Sequence, residues 1–150
     1  MVARKSLKGD YCPSARSLDV IGDWWSLLIV RDAFDGLTRF GEFQKSLGIA
    51  KNILTERLRT LVFSGILELV PTSEGGVRME YRLTPMGKDL FPVMVALRQF
   101  GERHLFAPAE DHSLLVDRAS GQPVHLDIRA ADGRPIGPDE AVILKVPQQE

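Results

Sequence analysis

The chain has 150 residues, 44% of them apolar and 26% charged, enough for one domain with a proper core and an appendage. No apolar run approaches the roughly 20 residues that cross a bilayer, and the basic start MVARKSLKGDYCP has no apolar stretch behind it, so neither a membrane span nor a signal peptide is expected. Cys12 is the only cysteine, which excludes an intramolecular disulfide and points to the cytoplasm.

The net charge of −1 hides an asymmetry. Residues 1–106 carry 15 Lys/Arg against 12 Asp/Glu, whereas residues 107–150 carry 4 against 8. Within Leu37–Gly65 five basic side chains (Arg39, Lys45, Lys51, Arg57, Arg59) face two acidic ones (Glu42, Glu56). A local excess of this kind suits contact with phosphates.

Residues 1–11 read as a flexible arm. Pro13 suits the first turn of a helix, where its missing N–H costs nothing, and Leu18 and Ile21 carry an apolar stripe to Gly22. DWWSLLIVRDAFDG follows, with Asp23 as N-cap and apolar residues on nearly every side, the pattern of an almost fully buried helix closed by Gly36. TRFGEFQKSLG predicts a short helix capped by Thr38, with Phe40, Phe43 and Leu47 on one face. After a turn at Gly48, KNILTERLRTLVFSG predicts a helix ending at a left-handed Gly65. ILELVP, a turn in TSEGG and the alternating VRMEYRLT then predict a β-hairpin. Thr84 and Pro85 restart a helix reaching about Phe106 and bent at Pro92. In residues 112–147, VHLDIRA, ADGRPIGPDE and AVILKV predict a β appendage of two or three strands. The domain expectation is 12–106 for the main body and 107–150 for a small β-rich extension.

The helix from Lys51 is the informative one. At about 100° per residue, Leu54, Leu58, Leu61 and Val62 share one face, while Asn52, Thr55, Glu56 and Arg59 share the other. Helix, short turn, helix and hairpin make a winged helix-turn-helix of the α+β class, with a long C-terminal dimerisation helix. A helix fits the major groove, its outward side chains reach base edges, and the hairpin tip lies against the neighbouring backbone.

Several motifs then stand in a recognisable order: Cys12-Pro13, Gly22-Asp23-Trp24-Trp25, Arg39-Phe40, Leu54-Thr55-Glu56-Arg57-Leu58 and Glu80-Tyr81-Arg82-Leu83-Thr84. From Cys12 to about His104 the chain resembles the HxlR-type family of bacterial winged-helix transcriptional regulators. The resemblance implies a homodimer, paired through its terminal helices, that binds double-stranded DNA at an inverted repeat. On matching positions it implies that Lys51, Asn52, Thr55 and Arg59 enter the groove and that Glu56 accepts from a cytosine amino group. Arg57, set to the side, binds phosphate or pairs with an acidic neighbour. Arg39 and Lys45 anchor the DNA backbone, and Arg78 is the wing's phosphate or minor-groove contact, with Glu74 at the tip departing from a basic wing.

Cys12, just before Pro13, sits at a helix start where the dipole favours thiolate, and some members of the family sense oxidants or electrophiles through a cysteine here. Trp24 and Trp25 suit core or dimer packing better than ligand stacking. The three histidines have no metal spacing, so neither metal nor cofactor is expected. No nucleophile–base pair or phosphate-cradling loop stands out, so an enzyme is not expected. Two other readings are a winged-helix interaction module that reads no DNA and a protein binding a small ligand through its extension.

Overall fold

A computed structural model describes residues 5–72 and 77–147. The chain divides into two compact units, the first ending at Phe91 and the second beginning at Pro92.

The first unit opens with α1 (Pro13–Ile21), whose N-cap is Cys12 and whose first residue is Pro13. In α2 (Trp24–Phe34), Asp23 caps the start by accepting from the Ser26 N–H at 2.9 Å. Its burial is one-sided: Ser26, Ile29, Val30 and Asp32 are inside, whereas Trp24 is 72% exposed, so the helix is less enclosed than its apolar run suggests. Trp24 and Trp25 stack edge to face at 5.8 Å.

The next helix, α3 (Phe40–Leu47), is capped one residue later than expected, at Arg39 and not Thr38. The Glu42 carboxylate reaches back to accept from the Thr38 and Arg39 N–H groups at 2.9 and 3.0 Å. This holds the carboxyl below the usual carboxylate range, the Thr38 bond first, then the Arg39 bond, with the Arg39 charge adding to it. The Thr38 carbonyl, one residue ahead of the N-cap, accepts from the Tyr81 N–H at 2.8 Å.

Gly48 ends α3 with φ at 60°, and a three-residue turn, Gly48–Ala50, leads into α4 (Lys51–Phe63). Beyond the Ser64 C-cap, Gly65 adopts φ 78° as expected; its N–H donates to Val62 O and the Ile66 N–H to Leu61 O, closing the orphan carbonyls. Phe43, Leu54, Leu58, Leu61, Ile29, Val30 and Leu67 form the core, and α2 packs on α3, α4 and the hairpin. Each such side chain contributes about 1.5–3 kcal/mol by burial.

The hairpin pairs β1 (Leu67–Pro71) antiparallel with β2 (Met79–Leu83), Leu67 opposite Leu83 and Leu69 opposite Tyr81. Most of the expected turn, with Glu74, falls on residues 73–76, outside the described residues.

The expected long helix is two. Thr84 caps α5 (Pro85–Lys88) by accepting from the Gly87 N–H at 3.0 Å, and α6 (Phe91–His104) begins afresh. Pro92 explains the break: it cannot donate an N–H, and its ring would clash with the preceding turn inside a continuous helix. In the first turn of α6 the missing donor is harmless.

In the second unit, the expected strands of 112–147 reduce, among the described residues, to two isolated bridges, Val116 with Pro123 and Arg129 with Pro135, and a short 3-10 turn, Pro138–Glu140. A proline stands at each bridge, where it removes a ladder donor, and turns crowd the intervals. The unit is instead stapled to its helix by side chains. Arg98 donates to the Ser113 carbonyl at 2.8 Å and to its Oγ at 2.9 Å, and pairs with Glu102 at 3.2 Å. The Gln99 amide accepts from the Leu126 N–H at 2.5 Å and donates to its carbonyl at 3.2 Å.

Candidate nucleic-acid interface

The apolar side of α4 fixes what the other side can do. With Leu54, Leu58 and Leu61 at most 1% exposed, Lys51, Asn52, Thr55, Glu56 and Arg59 must point outward. All five are exposed and together line one open, shallow hollow on the protein surface. Among the described residues no hydrogen bond or ion pair occupies the Asn52 amide or the Arg59 guanidinium, so both keep their full donor sets.

Two members of the set are already engaged. The Thr55 hydroxyl donates to the Lys51 carbonyl one turn back, at 2.8 Å, which leaves its methyl and its lone pairs for an incoming group. Glu56 lies 3.7 Å from Arg57, a loose pairing on an exposed carboxylate.

Arg57 does not share this face. It is half-buried, with Nε 3.2 Å from Asp23 Oδ1, inside ion-pair range but off the angle of an aligned hydrogen bond. Of the two roles left open for it, the pairing with an acidic neighbour is the one present. Asp23 therefore caps α2 and, through Arg57, holds α4 against it. Sequence reasoning found the cap and allowed an acidic partner for Arg57 without naming Asp23, since the two residues are far apart in the chain. The role of Glu42 was missed: a Glu three residues into a helix is half of a capping box, but the N-cap here is Arg39 and not the Ser or Thr that completes the signature.

The remaining cations surround this face at a distance in sequence. Arg39 is exposed at the N-cap of α3 and Lys45 is exposed in its last turn. Arg78 is exposed beside β2, its carbonyl accepting from the Thr72 N–H at 3.0 Å. Cys12 is exposed at the start of α1, and its own N–H donates to the Asp10 carboxylate at 2.8 Å. Among the described residues no cluster of His, Cys, Asp or Glu has the arrangement of a metal site, and no helix is long and apolar enough to cross a membrane.

Residues 20–108 match the HxlR-like helix-turn-helix family, a span that begins after Cys12. Over 93 residues, 62% of this chain, there is 46% identity to Rv3095, an uncharacterized HTH-type transcriptional regulator of Mycobacterium tuberculosis. The matched region spans only 59% of that relative's length. The crystal structure of PA1607, proposed to be a transcription factor, superposes with a TM-score of 0.89 at 58% identity, covering 95% of this chain and 100% of that one. The redox regulator HypR in its reduced form superposes with a TM-score of 0.58 at 32% identity, over 63% of this chain and 94% of that one. The family and these relatives are regulators and not enzymes.

Proposed function

Because the chain belongs to the HxlR-like helix-turn-helix family, we propose that it is a sequence-specific DNA-binding transcriptional regulator, a repressor acting as a homodimer on an inverted-repeat operator. The observation that carries this reading is the outward face of α4. Asn52 and Arg59 are unengaged amide and guanidinium groups, the side chains that bind adenine and guanine edges bidentately, and they stand on a helix braced from behind by a fully packed core. Glu56 accepts from a cytosine amino group, and the Thr55 methyl faces a thymine methyl. Lys51, Arg39, Lys45 and Arg78 hold phosphates and set the register. Arg57 positions α4 through Asp23 without touching DNA.

Selection of binding sites from random DNA tests the reading. A palindromic sequence should be enriched, with half-sites about 34 Å apart. Arg59→Ala should cost about 1–3 kcal/mol and relax preference at one position of each half-site, whereas Lys45→Ala should weaken all sequences alike. Failure of the folded protein to enrich any sequence would overturn it.

Dimerisation is supported by apolar side chains left open on α6, with Val93 40%, Leu97 49% and Phe100 59% exposed. Light scattering at micromolar concentration checks it, and Leu97→Asp should shift the protein toward monomer. Control by oxidants is a finer reading, supported by the exposed thiol of Cys12 at a helix start and by the likeness to a redox regulator. Peroxide would oxidise the thiol to a sulfenic acid, releasing one water, and any disulfide that follows must join two protomers or a small thiol. Operator affinity before and after peroxide, in wild type and Cys12→Ser, decides this; an equal response in both would dismiss Cys12 as the sensor.

A further inference from the structure

The last backbone hydrogen bond before the end of the described chain is that of Glu140 to Gly137. Beyond it, residues 141–147 make no hydrogen bond among the described residues, and their side chains are bare: Val142 83%, Ile143 81%, Leu144 88% and Val146 59% exposed. A run of β-branched and aliphatic residues with every N–H and C=O unpaired is a strand without a sheet.

The same unit holds a place for such a strand. A groove of about 460 Å³ runs between α6 and residues 126–136, floored by Phe100, Leu126, Ile128 and Ile136 and rimmed by Arg103, Asp127 and Arg129. The backbone groups of Asp127 and Arg129 have no backbone partner among the described residues, whereas the Ile128 carbonyl and the Ala130 N–H between and beyond them are taken up by the 134–136 segment. Alternation along an extended chain turns those free groups to the open edge. No residue of 141–147 lines the groove of its own chain.

We infer that residues 141–147 dock as an added strand in this groove of a second copy of the chain, each copy supplying an arm to the other. Main-chain bonds to the Asp127–Arg129 edge supply affinity, Val142, Leu144 and Val146 on one side of the strand enter the apolar floor, and Lys145, the only charge in the segment and on the opposite side, meets Asp127, the only acid on the groove. Val142, Leu144 and Val146 offer on the order of 400 Å² per copy, so reciprocal exchange with the floors they cover reaches the size of a specific interface. The inference does not depend on DNA binding.

The test uses the full chain in a Cys12→Ser background, with Ile128→Cys and Leu144→Cys on separately tagged copies that are co-expressed. Both positions are exposed, so folding should be unaffected. Mild oxidation should give a covalent heterodimer, which neither variant gives alone. A disulfide formed only within a chain carrying both cysteines, self-linkage of Leu144→Cys, or no linkage would each overturn the inference. In addition, Leu144→Asp should weaken self-association at least tenfold with unchanged helical circular dichroism. If Leu97→Asp disrupts the dimer and Leu144→Asp leaves it untouched, the arm exchange fails while the homodimer stands.

Discussion

In the unit that ends at Phe91, seven apolar side chains from three helices and a strand are 1% exposed or less; beyond Pro92, Val95 alone among the described residues is buried. The first unit is organised by apolar packing, with Ser26 and Asp32 of α2 as its buried polar side chains among the described residues. The second is organised by hydrogen bonds from two adjacent helix residues, Arg98 and Gln99, to the main chain that follows. Packing of the first kind resists local opening, because every side chain is held by many others. Staples of the second kind define positions without supplying much stability, since each net hydrogen bond contributes about 0.5–1.5 kcal/mol. A helix that presents side chains to a rigid target belongs on the first kind of support. A surface that gains partners belongs on the second.

The contrast can be broken at four points. Phe43→Ala, at a position with no exposure, should cost about 3–5 kcal/mol and lower the denaturation midpoint of the whole first unit. A loss under 1 kcal/mol would mean that the core is looser than its burial indicates. Next comes Gly87→Ala. A Cβ there would lie 2.1 Å from the Ile66 carbonyl oxygen, so α5 must move, at about 3 kcal/mol. Thr84, which donates to the Gly65 carbonyl and caps α5, shares this joint, and its own N–H bond to Ile66 at 3.1 Å should lengthen. Hydrogen exchange at Thr84 would report it.

Gln99→Ala removes both partners of the half-buried Leu126 backbone and should cost about 1–2 kcal/mol, confined to the second unit. Faster exchange at Leu126 with an unchanged Phe43 environment is expected; equal loosening of both units would erase the distinction. The smallest effect concerns acid. The Glu42 carboxyl is held below the usual range by its bonds from Thr38 and Arg39, so its stabilisation is present above the pKa it has in the unfolded chain and fades as pH falls through its lowered folded value. Glu42→Gln should therefore be less stable than wild type near neutrality and converge with it in strong acid. Parallel stability curves would show that the cap carries no charge dependence.

The same contrast governs what could be read in advance. The helices of the first unit announce themselves because one periodicity serves both local structure and core: Leu54, Leu58 and Leu61 say where α4 is buried and therefore which side chains are left outside. Caps at Asp23, Gly65 and Thr84 are local chemistry and were legible as such. Arg57 was not, because its partner Asp23 comes from another element, and spacing along one helix says nothing about what lies beside it. The engagement of the Thr55 hydroxyl with its own helix was likewise invisible to a face-by-face count. In the extension, VHLDIRA alternates as a strand does, but Pro123 and Pro135 stand where ladder donors would be needed, and the strand-like AVILKV makes no ladder bond among the described residues.

The edge-to-face pair of Trp24 and Trp25 has a practical consequence for anyone measuring these units. Both tryptophans, and both tyrosines, Tyr11 and Tyr81, precede Pro92 in the sequence. The intrinsic fluorescence of the protein is thus a readout of one half of it, and the other half is optically dark above the weak absorbance of phenylalanine. An unfolding curve followed by tryptophan emission can be perfectly sigmoidal while saying nothing about residues 92–147. A tryptophan placed at exposed Ile128 would give the silent half its own signal.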